Sequence, residues 1–73
     1  MTWYVTGRRR GRRVLELRDA GRALGRARQN HPLRQWVAER PDPTAPDGWA
    51  VLGFYTTCLN AKKRVAKEAA VGF

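Results

Sequence analysis

Residues 8–13 read Arg-Arg-Arg-Gly-Arg-Arg, five cations in six positions. A run of that kind is too charged to be buried, because an unpaired charge taken out of water costs more than a small domain can return. It has to be an exposed connection. Thr2 to Thr6, on one side, is β-branched and aromatic, and Gly7 closes it; on the other, Leu15 and Leu17 alternate with Val14, Glu16 and Arg18 in the period of a half-buried strand. Residues 1–18 are therefore expected to form a β-hairpin with a basic loop.

Asp19 suits the N-cap of a helix running to about Asn30, where Asn30-His31-Pro32 would stop it. At 100° per residue, Ala20, Ala23, Leu24 and Ala27 share one side, with Arg18, Arg22, Arg26 and Gln29 on the other. Gly21 and Gly25 each cost about 1 kcal/mol relative to Ala, so this helix is weak alone and must lie close against a sheet. Leu33 to Glu39 alternates again, placing Trp36 and Val37 on opposite faces. Residues 41–48 form a loop by their Pro, Asp and Gly content. Trp49 to Thr56 is the most apolar run and is expected as the central strand. Thr57 would cap a last helix with Cys58, Leu59, Ala61, Val65, Ala66 and Ala69 inside and Lys63, Arg64, Lys67 and Glu68 outside. The expected fold is a single α+β domain over residues 1–73, in ββαββα order, with an antiparallel sheet of about four strands covered on one face by two helices. Its two ββα halves share a layout that hints at internal duplication.

At 73 residues the chain buries only about 60% of the surface it exposes unfolded, so stability is marginal. A 42% share of apolar and aromatic residues still supports a thin core and excludes a wholly disordered polycation. Cys58 stands alone, which excludes an internal disulfide and a Cys-based zinc site and fits a reducing, cytoplasmic setting. Met1 to Val5 lacks the basic-then-apolar pattern of a secretory signal, and no run approaches the ~18 apolar residues of a membrane span.

The formal charge is +9, with 15 Lys plus Arg against 6 acids. Residues 1–34 hold ten Arg against Glu16 and Asp19; residues 35–59 hold Arg40 against Glu39, Asp42 and Asp47; residues 60–73 hold four cations against Glu68. Codon bias towards Arg would spread the charge more evenly, so the clustering argues for a basic face and a polyanionic partner. The expected function is nucleic-acid binding, duplex DNA ahead of RNA, through Arg8, Arg9, Arg10, Gly11, Arg12, Arg13, the helix stripe of Arg18, Arg22, Arg26 and Gln29, and Lys63 and Lys67 of the last helix. The Arg10-Gly11-Arg12 core resembles the AT-hook, which implies two extended Arg side chains along the minor groove of A·T-rich DNA. Among Trp3, Tyr4, Trp36, Trp49, Phe54 and Tyr55, at least four should be core; only a sheet face left uncovered would turn them into stacking platforms.

His31 is the sole histidine, and no carboxylate pair, Cys/His cluster or Gly-rich phosphate loop accompanies it, so neither an enzyme nor a cofactor or metal site is expected. Trp49 to Glu68, a strand ending Phe54-Tyr55-Thr56-Thr57 before an Ala/Lys-rich helix, is similar to the three-stranded arm-site DNA-binding domains of phage integrases, which implies DNA and a phage or mobile-element origin. The competing class is a protein-interaction module, such as a basic inhibitor docking on an acidic surface of a partner. A homodimer would enlarge the small core.

Overall fold

The computed structural model describes residues 1–9, 12–30 and 35–71, with Arg8, Arg9 and Arg12 as backbone only. Among the described residues there are five strands, β1 (Thr2–Arg9), β2 (Arg12–Asp19), β3 (Arg22–Asn30), β4 (Gln35–Pro41) and β5 (Trp49–Tyr55), and one helix, α1 (Cys58–Val71). The strands form one antiparallel sheet in sequence order, β1 to β5, and α1 packs across β3, β4 and β5 on one face. The order is thus βββββα, which overturns the expected ββαββα architecture with two helices.

The departure in element order lies at residues 19–30; in addition, β1 runs past Gly7 to Arg9 and β2 begins at Arg12, so Arg8, Arg9, Arg12 and Arg13 of the expected loop belong to strands. Asp19 caps no helix; it pairs with Arg22 across a two-residue turn in which Ala20 has φ 52° and Gly21 φ 75°. Positive φ at both central positions is the geometry whose twist matches paired antiparallel strands. In the strand that follows, Ala23, Gly25 and Ala27 alternate with Leu24, Arg26 and Arg28, and both a helical and a strand period fit this stretch. Two glycines, and like charges four residues apart at Arg18, Arg22 and Arg26, weaken the helical option. What decides is the approach of α1. A Cβ at Gly25 would overlap the Val65 side chain and stand 3.0 Å from the Glu39 carbonyl oxygen. Small residues at Gly25, Ala27 and Ala38 form the floor on which Ala61 and Val65 sit, and those four besides Gly25 are fully buried.

Two further expectations fail for related reasons. Trp49 to Tyr55 is an edge strand, not the central one, and Val51 and Phe54 are half exposed there. Duplication also fails, because Asp19-Ala20 opens a hairpin turn whereas Thr57-Cys58 opens a helix. Thr57 does act as a cap: its Oγ1 accepts from the Asn60 amide at 3.3 Å. The inner stripe of α1 runs through Ala61 and Val65 with Cys58, Ala66 and Ala69 alongside, but Leu59 is exposed. Between β4 and β5, Asp42 Oδ1 accepts from both the Thr44 hydroxyl (2.6 Å) and the Thr44 amide (2.9 Å). Those bonds hold the Asp42 carboxyl below the usual aspartate range, with Arg40 adding to the effect. His31, Pro32 and Leu33 lie outside the described residues.

Candidate nucleic-acid interface

Among the described residues a single helix packs on one face, and no described helix or strand covers the opposite face of the sheet. Strand alternation decides what it carries. Tyr4 pairs with Glu16, Glu16 with Arg26, Arg26 with Glu39, and Glu39 with Val51, so one row crosses all five strands. A neighbouring row runs Val14, Arg28, Val37, Phe54. Arg18 and Trp49 complete the face on β2 and β5. Trp36, Trp3 and Tyr55 point the other way, into the core under α1. Three of the six aromatics, Tyr4, Trp49 and Phe54, therefore stand on the open face, and the expectation that at least four would be core is not met.

The polar groups here form a connected set. Glu39 is 2% exposed although no described helix covers it. Its Oε1 accepts from Arg26 Nε at 2.7 Å and from Arg28 Nε at 2.9 Å. The Arg26 guanidinium lies 4.2 Å from the centre of the Trp49 ring, and that of Arg18 lies 5.8 Å from the Tyr4 ring while its Nε donates to Glu16 Oε1 at 3.2 Å. A carboxylate buried among strands costs several kcal/mol unless paired, and two charge-assisted bonds to one oxygen offset that cost. Among the described residues, every buried side-chain nitrogen or oxygen has a hydrogen-bond partner.

The expected site residues are divided by this arrangement. The stripe of Arg18, Arg22, Arg26 and Gln29 does not exist: Arg18 and Arg26 lie on the open face, Gln29 pairs with Trp36 on the helix side, and Arg22 is exposed beside the turn. Arg10 and Gly11 lie outside the described residues. Around them, the register sets Arg8 opposite Arg13 and Arg9 opposite Arg12. Lys63 and Lys67 are exposed on α1, while Arg64 is tied to Glu68 at 2.9 Å. The last turn of α1 holds no basic residue, so helix-dipole compensation does not explain these cations. Arg28 and Glu39 were missed. Arg26-x-Arg28 has the spacing of one strand face, but that signal becomes visible only once the segment is known to be a strand.

Among the described residues, no group of three or more His, Cys, Asp or Glu could hold a metal ion, and no helix is long and apolar enough to cross a membrane. Comparison with family models, with curated proteins and with solved structures found no match to this chain.

Proposed function

We propose that this chain is a nucleic-acid-binding protein acting on duplex DNA, gripping the phosphate backbone with the arginine-rich end of the β1–β2 hairpin. The observation that carries the reading is the register there: Arg8 faces Arg13 and Arg9 faces Arg12. Like charges directly opposite one another destabilise an antiparallel pair, and the nearest acids in the chain are Glu16 and Asp19, further down β2. A polyanion offsets that penalty by bringing counter-charge to the hairpin end. The reading no longer includes a cationic helix face on residues 19–30, since that segment is β3.

Duplex is favoured over single strand by the state of the aromatic rings. The Arg26 guanidinium lies on the Trp49 ring at 4.2 Å and that of Arg18 stands 5.8 Å from the Tyr4 ring, so a base stacking on either competes with a guanidinium, and Phe54, 57% exposed, adds one stacking surface rather than the series of rings that single-strand binders use. DNA is favoured over duplex RNA because the wide major groove of B-form DNA admits a two-stranded ribbon such as the β1–β2 hairpin, whereas that of A-form RNA is too deep and narrow for side chains to read.

Titration against duplex DNA, single-stranded DNA and duplex RNA at several salt concentrations tests this. About four to six phosphate contacts give a log–log salt slope of roughly −4 to −5 on duplex DNA. A flat slope, or binding that polyphosphate does not compete, sinks the proposal and leaves docking on an acidic protein surface as the better account.

A further inference from the structure

We infer that Arg26 and Arg28, held by Glu39 and Trp49 on the open sheet face, form a guanine-reading site for the major groove of duplex DNA. The inference rests on the nucleic-acid reading above and goes further, from backbone grip to base recognition.

Three observations lead there. The first is charge. Two arginines around one carboxylate leave a net charge of one for the trio, which is a poor phosphate clamp beside the hairpin end. A neutral base edge makes no such demand, and guanine presents two acceptors, O6 and N7, matched to a guanidinium fork. The second is rigidity. An arginine gripped at Nε still has four N–H donors on its two Nη atoms, and its orientation is fixed. Arg26 is held on a second side by the Trp49 ring. Fixing the fork beforehand lowers the entropy lost on forming a bidentate pair, which is what base discrimination needs and phosphate gripping does not.

The third observation is spacing. Both Nε atoms reach the same Glu39 oxygen, at 2.7 and 2.9 Å, so the two forks are anchored at Nε atoms less than about 6 Å apart. Base pairs follow at about 3.4 Å, so the anchors span one to two base-pair steps. Strands lie about 4.8 Å apart, so β3 with its neighbours β2 and β4 spans roughly 10 Å against a major groove about 12 Å wide, whereas all five strands span roughly 19 Å, which sets β1 and β5 over the phosphate walls of the groove rather than inside it. Glu39 itself is buried beneath the guanidiniums and presents no carboxylate to the DNA. It is a positioning residue, and Arg26 and Arg28 make the contacts.

The experiment is selection of bound duplexes from a random pool, followed by affinities for the selected site and its single-base variants. The wild-type chain is expected to enrich guanine at one or two neighbouring or next-but-one positions, with a wrong base there weakening binding about 10- to 100-fold. The double variant Arg26→Lys with Arg28→Lys keeps both charges and can still pair with Glu39, but it lacks the fork. Its discrimination should fall to within about twofold while its salt slope stays at the wild-type value. If that variant does not give the wild-type circular dichroism, Arg28→Lys alone, at the more exposed of the two side chains, reads the same loss at one position. Glu39→Gln should lower discrimination more than it lowers affinity for random duplex. Two outcomes overturn the inference: no base preference by the wild type on a steep salt slope, or guanine enrichment undiminished in the lysine variants. In both, the phosphate-binding proposal stands; absence of duplex binding removes both together.

Discussion

At the scale of single residues, Glu39 joins stability to the open face. Its side chain is 3% exposed, against 22% for Arg26 and 37% for Arg28, so the acid is held inside and the bases lean out. Removing the acid leaves two guanidiniums converging on an empty place, although their exposure lets water take over part of the pairing. Glu39→Ala should therefore cost about 2–3 kcal/mol, below the range for breaking a fully buried pair. Glu39→Gln, which keeps the volume and an acceptor, should cost about half as much. Chemical denaturation of the two variants measures this. A Glu39→Ala protein as stable as wild type would show that the contacts are surface ion pairs without consequence. Gly25 is constrained as tightly for a steric reason, since any side chain there meets Val65 from α1.

At the scale of elements, the β2–β3 turn decides whether residues 19–30 are strand or helix. Ala20 sits at φ 52°, where an L-residue with a Cβ is strained by about 1–2 kcal/mol and Asn is among the best tolerated replacements. Ala20→Asn creates the Asn-Gly pair that two-residue hairpins favour, and it should stabilise the protein by about 1 kcal/mol. In a domain of this size that raises the melting temperature by roughly 4–8 °C. A helix in the same place predicts the opposite sign, because Asn is the poorer helix former. A fall in melting temperature would thus count against the hairpin. The α1 helix carries its own start signal in Thr57, but it depends on the small-residue floor of β3 and β4 for burial, since its inner face offers little beyond Ala61 and Val65.

At the scale of the whole molecule, a net charge of +9 is carried on a body of 31 × 24 × 20 Å. Salt screens exposed charges over about 10 Å at 0.1 M ionic strength, and it acts less on the partly buried Glu39 cluster. Raising sodium chloride from about 0.05 to 0.5 M should therefore stabilise the free protein, by on the order of 1 kcal/mol, while weakening its grip on DNA. Opposite salt dependences of melting and of binding are the signature of an unbalanced basic surface. A melting temperature that falls with salt would mean that attractive pairs outweigh the repulsion.

The sequence by itself determined where strands β1, β2, β4 and β5 and helix α1 lie to within a few residues, because period-two alternation, the Pro- and Gly-rich loop and the Thr57 cap are local signals. It also determined the charge and its clustering in the first half. Only the tertiary structure decided the state of residues 19–30, since alanines and glycines there satisfy both periods and the choice depends on how close α1 comes at Gly25. That choice then set everything non-local. As a strand, the segment moved β5 from the expected centre of the sheet to its edge, brought Arg26 and Arg28 to one side with Glu39, and left, among the described residues, a single helix to cover a sheet that has two faces. An uncovered face is a property of the count of helices, which no window of residues contains.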